Sequence, residues 1–396
     1  MTRPTLRTSI RWVTGLLVVL HGLIHLLGTV EGFGWADVDQ LDGSISPELG
    51  AAWLVAGALA VTAGVLLIAR ARRWWIVGAA AAVSSQLVLM TSWSDAKAGT
   101  VVNVVLLVAV VHGIASRGPV SARSRYRTQA AAALAASSGF AAIVTETDLE
   151  HLPAPVAAYL RRAGSVGKPR VMNLRAHIHG RIRAGADKPW MSFVGEQVNT
   201  FGDGPRRLFF MDATMFGLPV DVLHEYHGSA ATMRVRVCSL IPMVDASGPD
   251  LTRAETVTVF NDMCILAPTT LIGAPVAWTT IDDHHVRGTF TGGGHTISAE
   301  LTFDDNDELV DFVSDDRFAA SSDGRTFTPQ RWSTPISGYA DLASRRLATV
   351  GEGRWHPNGG EYAYLEFHLD DIAYNTASID EHSNAAKRTP TKQHLW

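Results

Sequence analysis

Four long apolar runs occupy the first third of the chain. They cover 12–30, 49–69, 74–93 and 98–116, each close to the ~20 residues with which an α-helix crosses a bilayer core. Basic residues flank the runs on one predicted side, and the opposite side is mainly acidic. Because the arginine bias sets the orientation of membrane helices, the pattern predicts four spans with both termini cytoplasmic. The basic side holds Arg3, Arg7, Arg11, Arg70, Arg72, Arg73, Arg117, Arg123, Arg125 and Arg127, and the other side holds Lys97, Glu31, Asp37, Asp39, Asp42, Glu48 and Asp95.

A basic linker and an alanine-rich segment follow the fourth run. Residues 117–128 are rich in arginine, which is typical of chain lying near anionic lipid headgroups. Residues 129–144 are short and only weakly apolar, so they predict a helix on the membrane surface. A fifth span at this point is the alternative, and it would move the rest of the chain to the other side of the membrane.

From residue 150 onward the periodicity predicts a β-rich domain. A short helix at 150–164 leads in, punctuated by proline and glycine. Apolar and polar residues then alternate in about a dozen stretches, beginning with Leu174, Ala176 and Ile178 and including 190–201, 231–243 and 295–303. One helical stretch, 251–271, interrupts them. Since a sheet this long must curl or close, we predict a half-barrel that grips the inserted helix, with a β-sandwich as the alternative.

The predicted fold class is therefore α+β: a four-helix transmembrane bundle followed by an antiparallel β-rich half-barrel-like domain with one inserted helix. The predicted divisions are the bundle at 1–116, the linker and surface helix at 117–149, a soluble β domain at 150–375 and a disordered tail at 376–396. The net charge of −4 argues against a nucleic-acid partner. The two cysteines, Cys238 and Cys264, match neither a disulfide framework nor a zinc signature and are expected to be buried free thiols.

Polar side chains inside predicted spans are candidates for function because the bilayer disfavours them. His21 and His25 are four residues apart and share one helix face. At ~1.5 Å per residue, Gln86 and Asn103 fall at nearly the same depth, whereas His112 lies closer to the arginine side. A hydrogen-bonded layer that fixes helix packing is one interpretation, and a haem, metal or proton site is the other.

The β domain contains no nucleophile elbow, phosphate-binding loop or zinc-protease motif. Its inserted helix places Glu255 and Asp262 on one face, seven residues apart. Arg317 is a candidate partner for them, and Glu196 with Gln197 offers another polar cluster. We expect a structural ion-pair network, with an acid/base pair or polar ligand contacts as alternatives. The candidate ligand-binding residues are Glu196, Glu255, Asp262 and Arg317, with no catalytic or metal-binding residue and no cofactor assigned.

Several motifs together resemble a family of bacterial multi-pass membrane proteins that has no assigned activity. They are His21-Gly-Leu-Ile-His25, Trp93-Ser-Asp-Ala-Lys97-Ala-Gly-Thr100, Leu152-Pro-Ala-Pro-Val156, Tyr159-Leu-Arg-Arg-Ala-Gly164 and Asp371-Ile-Ala-Tyr374. The resemblance implies a multi-pass protein of the bacterial inner membrane. The strand order of the β domain also resembles that of lipoprotein carriers and other half-barrels for apolar ligands, which implies a fold and not a function.

Three functions compete. The one we favour is binding or transfer of a lipid or other apolar small molecule in a cavity of several hundred Å³, the usual size of a ligand site. The residues expected to line it are Phe193, Phe209, Met211, Met215 and Phe216. A membrane-embedded redox or metal-dependent enzyme using His21, His25 and His112 is the second, and a structural or sensory membrane protein is the third. Nothing in the sequence assigns a reaction, so we favour binding over catalysis.

Overall fold

The computed structural model describes residues 6–39, 41, 44–202, 204–321 and 323–379. Arg3, Asp42 and the part of the predicted tail beyond residue 379 lie outside the described residues. Thr376, at the start of that predicted tail, is buried, and its backbone N–H donates to Asn173 Oδ1 at 3.0 Å. The packed chain therefore extends past the predicted end of the β domain. It divides into two compact units, one made chiefly of residues up to Ser124 and one from Arg125 onward.

The first unit is helical. Four stretches of its described residues are long and apolar enough to cross a membrane, namely Arg7–Gly32, Pro47–Ile68, Trp74–Thr91 and Gly99–Ala136, the last running into the second unit. The first predicted span is two helices that meet at His25. The helices are α1 (Leu6–Ile24), α2 (Leu26–Gly32), α3 (Pro47–Ile68), α4 (Trp74–Thr91), α5 (Trp93–Ala96) and α6 (Gly99–Arg117).

Glycines let α1 and α3 approach closely. A Cβ atom at Gly22 would lie 2.8 Å from the backbone oxygen of Gly57, and one at Gly57 would lie 2.7 Å from that of Gly22. About two helical turns away, a Cβ atom at Gly64 would lie 2.7 Å from the backbone oxygen of Gly15. Small residues at such contacts are typical of helices that pack within a bilayer, where backbones associate through van der Waals contact.

Among its described residues the second unit holds an antiparallel sheet and the α-helices α7 (Ala122–Ala136), whose first turn lies in the first unit, α8 (Ala154–Arg162) and α9 (Pro249–Leu266). The strands are β1 (Asn173–Ile182), β2 (Met191–Thr200), β3 (Arg206–Met215), β4 (Leu218–His227), β5 (Ala230–Val237), β6 (Ile241–Ser247), β7 (Val276–Thr280), β8 (His285–Gly292), β9 (His295–Phe303), β10 (Leu309–Ser314), β11 (Phe318–Ala320), β12 (Phe327–Pro329), β13 (Trp332–Ser333), β14 (Ile336–Leu342), β15 (Arg345–Trp355) and β16 (Tyr362–Tyr374).

The sheet is open. In the described residues its fourteen strands follow the order β6-β5-β4-β3-β2-β1-β16-β15-β13-β10-β9-β8-β7, with β14 paired to β15, and β11 and β12 form a separate ribbon. The two ends of this order, β6 and β7, do not pair with each other in the described part of the chain, so the sheet is not closed into a barrel. The α+β fold with an inserted helix is confirmed, and the finer half-barrel description is not.

Helix α9 connects the two edge strands and is enclosed by the sheet. It contacts β5 and β6 from one half of the sheet and β9, β10 and β15 from the other. Fifteen of its 18 residues are buried, so this helix fills the interior as predicted. It begins at Pro249, directly after Gly248 at φ 117°, and Pro268 follows its end. The predicted helix 251–271 is thus α9 followed by a short 3₁₀ turn at Pro268–Ile272.

Helices α7 and α8 pack on other parts of this unit. Helix α7 starts earlier and ends earlier than the helix predicted at 129–144. Its Tyr126 is 1% exposed and packs against Phe210 of β3, with ring centroids 5.9 Å apart. The buried side of α7 therefore covers the face of the sheet opposite to α9. Tyr159 of α8 donates from its hydroxyl to the backbone oxygen of Cys264 at 2.8 Å, which ties α8 to the end of α9.

Candidate functional site

Helix α9 carries two buried carboxylates on one face. Glu255 and Asp262 are two helical turns apart, with Thr258 between them. Each of the two acidic side chains is only 6% exposed. Burying an unpaired charge is strongly unfavourable, so the partners of these carboxylates decide how α9 is held.

Arg207 of β3 pairs with both carboxylates. Its Nε donates to Asp262 Oδ2 at 2.7 Å, and its Nη1 donates to Glu255 Oε2 at 3.2 Å. The Arg207 side chain is itself only 10% exposed. A guanidinium presents five N–H donors in a fixed plane, so one arginine can serve two carboxylates at once. Arg207 therefore fixes the face of α9 to β3.

Amides from β2 complete the coordination of Asp262. Gln197 Nε2 donates to Asp262 Oδ2 at 2.8 Å, and Asn199 Nδ2 donates to the same oxygen at 2.9 Å. Both side chains point to the α9 side of the sheet because residues two apart in a strand share a face. One carboxylate oxygen thus accepts three hydrogen bonds, two from β2 and one from Arg207 of β3, and these fix Asp262 against the sheet.

Arg317, in the segment between β10 and β11, holds the other side of the helix face. Its Nη1 donates to the backbone oxygen of Ala254 at 2.5 Å and to Thr258 Oγ1, and lies 3.6 Å from Glu255 Oε1. Its guanidinium carbon lies 4.7 Å from the centre of the Trp332 ring, a cation–π arrangement. The predicted pairing of Arg317 with the α9 carboxylates is therefore observed at Glu255.

Glu255, Asp262, Arg207 and Arg317 form one charged cluster. Its electrostatics keep Glu255 and Arg207 ionised near neutral pH. Burial alone would raise the pKa of Glu255, but the neighbouring His224, Arg207 and Arg317 together lower that pKa below its ordinary range. Burial likewise acts to lower the pKa of Arg207, and the two carboxylates raise it above its usual value. A carboxylate that stays ionised near neutral pH is poorly suited to proton transfer, since general acid/base groups titrate near the working pH. The geometry supports an ion-pair role.

A cavity lies beside this cluster, between α9, the sheet and the β11–β12 ribbon. Its volume is about 330 Å³, within the size expected for a ligand site. The wall is mostly apolar and rich in aromatic rings, and the charged cluster forms one part of it. The apolar wall includes Ile178, Phe193, Phe209, Met211, Trp355 and Tyr364, and the polar part includes Gln197, Arg207, Glu255, Asp262 and Arg317.

Not every residue proposed from the sequence lies at the cavity. Met215 does not line it, and Phe216 lies in the β3–β4 turn with 79% of its surface exposed. Glu196 is directly opposite Phe210 in the β2–β3 register, so it is on the sheet face that α7 covers, away from α9. Gln197, the other member of the polar cluster predicted from the sequence, does reach the carboxylates and donates to Asp262.

Sequence reasoning missed three members of the cluster, Arg207, Asn199 and His224. His224 Nδ1 lies 3.7 Å from Glu255 Oε1, beyond hydrogen-bond distance. A signal for Arg207 was present, because it stands two residues before Phe209 and four before Met211, on the strand face that the alternation assigns to the interior. A charged residue in an inward series indicates a buried partner.

In the described part of the helical unit, four of the polar residues singled out from the sequence take part in hydrogen bonds between side chains. Ser85 Oγ lies 3.1 Å from His21 Nε2 and 2.9 Å from His25 Nε2. Gln86 Nε2 donates to Thr100 Oγ1 at 3.2 Å, and Asn103 Nδ2 donates to Gln86 Oε1 at 3.0 Å. Ser85 and Thr100 were not anticipated. His112 is half-buried on α6 and takes part in none of these hydrogen bonds among the described residues.

The described residues contain no group of three or more His, Cys, Asp or Glu side chains arranged to hold a metal ion. Cys264, on α9, is fully buried and a free thiol, as expected. Cys238 is also free but only partly buried, because it lies in the tight β5–β6 turn. The half-exposed position of Cys238 corrects the expectation that both thiols are buried.

Comparisons with known proteins concern mainly the β unit. The model described as "Family of unknown function (DUF6544)" matches residues 142–367. Two solved structures are similar to the chain at 13% identity: a DUF1329 family protein from Desulfovibrio piger (TM-score 0.33, 60% of this chain and 98% of that chain) and a LolA superfamily protein from Nitrosomonas europaea (TM-score 0.32, 55% and 93%). No curated protein matches the chain. The family match assigns no activity to the chain.

Proposed function

We propose that the β unit of this chain, which belongs to the DUF6544 family of unknown function, binds the apolar part of a membrane lipid or a similar amphiphile. The observation that carries the proposal is the mostly apolar cavity between α9 and the sheet. Its volume of about 330 Å³ is at the lower end of the ~300–1,000 Å³ typical of small-molecule sites. A space of this size suits one hydrocarbon chain or one compact ring system better than a whole two-chain lipid.

The charges in the cavity wall also favour an apolar occupant. Arg207 and Arg317 are balanced by Glu255 and Asp262, and the four groups are engaged with one another and with neighbouring polar groups. A site built for an anion would present cationic donors without a carboxylate beside them. The cluster therefore offers an incoming molecule no net charge, and the surrounding aromatic rings offer it apolar contact area.

We further propose that the four apolar helices hold this unit at the cytoplasmic side of a bacterial inner membrane. The support is the placement of arginines on one predicted side of the spans. A cysteine introduced at Asp37 should react with a membrane-impermeant maleimide in intact cells, whereas one introduced at Asp323 should react only after lysis. Reaction of the residue 323 cysteine in intact cells would reverse the proposed orientation.

Native mass spectrometry of the full chain, purified in detergent, tests the binding proposal. We expect a co-purifying apolar molecule, or binding of an added fluorescent fatty acid, in the wild type. Met211→Trp adds bulk to the cavity wall and should reduce occupancy about tenfold, the effect of ~1.4 kcal/mol. Met215→Trp is the matched control, because it makes the same change on the same strand away from the cavity.

Two results would contradict the proposal. One is a wild-type protein that carries no apolar molecule and binds no added fatty acid. The other is equal occupancy in Met211→Trp and Met215→Trp, because binding would then take place elsewhere. On a Cys238→Ser background, protection of the buried Cys264 thiol from a maleimide verifies that both variants are folded.

A further inference from the structure

The two ends of the β1–β6 half of the sheet differ in character. Because these strands are antiparallel and follow one another in the chain, the β1–β2, β3–β4 and β5–β6 connections lie at one end. There Phe216 is 79% exposed, Ile241 57% and Met243 49%. The turns at the other end, at 202–205 and 227–230, read Gly-Asp-Gly-Pro and His-Gly-Ser-Ala and contain no large apolar residue.

Phe216 occupies a backbone conformation that disfavours it. It has φ 49° and Gly217 has φ 82°, so the two residues form the centre of a two-residue hairpin turn with positive φ at both positions. Asparagine or glycine fits the first of these positions, and a bulky side chain is strained there. The backbone strain at Phe216 and the exposure of its ring to water both cost free energy. An apolar environment around the ring, such as the interior of a bilayer, would remove the second cost.

Aromatic and basic side chains accompany this ring. Trp190 directly precedes β2 at the same end, and the guanidinium carbons of Arg181 and Arg183 lie 4.6 and 4.5 Å from the centre of its ring. Tryptophan and arginine together are typical of the membrane–water interface, where the ring meets the headgroup region and the cation meets anionic lipid. The same chain carries four helices long and apolar enough to cross a membrane, and under the proposed function they hold this unit beside a bilayer.

We propose that this hairpin end of the sheet, defined by Phe216, Ile241 and Met243 with Trp190 beside them, inserts shallowly into the bilayer surface. The cavity reaches the same end, where Arg183 and Ala184 line it. Docking therefore brings the cavity to the membrane, and a hydrocarbon chain can pass between them without crossing water. The docking surface rests only on the proposed placement beside a bilayer, whereas this route for a lipid rests also on the proposed binding.

The test uses the full chain in nanodiscs of phosphatidylethanolamine and phosphatidylglycerol, with Cys238→Ser removing the partly exposed native thiol. A polarity-sensitive fluorophore is attached to a cysteine at residue 216 or, as the control, at Ser229 in an opposite-end turn. We expect lipids carrying a doxyl quencher to quench the residue 216 probe several-fold more than the residue 229 probe. Equal quenching at the two positions would overturn the docking surface.

A variant that carries no fluorophore at residue 216 excludes an effect of a label at that position. Phe216→Asn places a residue that accepts positive φ in the turn, so the hairpin is kept while the apolar ring is lost. A quencher-sensitive probe at Met243 should then lose its quenching, whereas fatty-acid binding in detergent should stay at the wild-type level. Unchanged quenching at residue 243 would contradict the role of Phe216. Loss of fatty-acid binding in detergent would count against the cavity proposal. The docking surface would still be tested by the quenching at residue 243.

Discussion

Replacing Arg207 with methionine removes the guanidinium that holds α9 to β3. Methionine is an unbranched apolar side chain without a positive charge. Two carboxylates, each 6% exposed, therefore lose one of their cationic partners. Removing one partner of a buried ion pair costs about 3–5 kcal/mol. Arg317 still lies 3.6 Å from Glu255, and two amides from β2 still bond Asp262, so we expect the lower limit, ~3 kcal/mol.

The buried thiol of Cys264 provides the assay. It lies on α9 with no exposed surface, so a fluorogenic maleimide reacts with it only when the region around α9 unfolds. The full chain is heated in detergent on the Cys238→Ser background. For a unit of this size a loss of ~3 kcal/mol corresponds to a fall of about 6–12 °C in the midpoint for Arg207→Met.

Arg181→Met is the matched control. Arg181 makes two shorter hydrogen bonds to Glu366, at 2.6 and 2.7 Å, but its side chain is 51% exposed. An exposed pair contributes about 0–1 kcal/mol, so its midpoint should fall by less than ~4 °C. If the two variants lose stability equally, the argument that burial sets the strength of the Arg207 pair is refuted.

Two further outcomes follow from the same contacts. The folded-state pKa of Glu255 is lowered, so its contribution to stability is present above its unfolded pKa of ~4.3 and is lost as the pH falls below that value. The difference in melting temperature between wild type and Glu255→Gln, followed by tryptophan fluorescence, should therefore shrink as the pH is lowered. A difference that stays constant with pH would contradict this. In the helical unit, His25→Ala and Ser85→Ala should be coupled by ~0.6 kcal/mol in a double-mutant cycle of unfolding, whereas His25→Ala and Gln86→Leu should be additive because Gln86 bonds to other partners.

The alternation of apolar and polar residues located most strands closely. The stretch predicted at 295–303 is β9, His295–Phe303, and the one predicted at 190–201 is β2, Met191–Thr200. The pattern predicts one strand at 231–243, and the structure has two strands there, β5 and β6. The turn between them uses Cys238 and Ser239, with φ 53° and 61°, where the hairpin signal is glycine or asparagine. Sequence rules cannot find a turn made from residues that disfavour it.

The candidate site was only half predictable for a related reason. Spacing within one helix is fixed, so the common face of Glu255 and Asp262 followed directly from the sequence. The partners come from β2 and β3, and which strand residue faces the helix depends on register, where a shift of one residue reverses every side chain. Glu196 and Gln197 differ by one position, and only Gln197 reaches Asp262. Arg207 lies 48 residues from Glu255 in the sequence, and only strand pairing brings the two together.

The charged cluster also explains why a cavity persists beside a buried helix. Apolar side chains at an interface of this kind would interdigitate to the density of a protein core and leave no space for a ligand. Arg207 and Arg317 instead hold α9 through directional contacts of fixed length, and moving the helix closer to the sheet would distort them. We infer that the cluster acts as a spacer: it satisfies the carboxylates of α9 while keeping the helix at the distance from the sheet at which the aromatic-lined volume stays open.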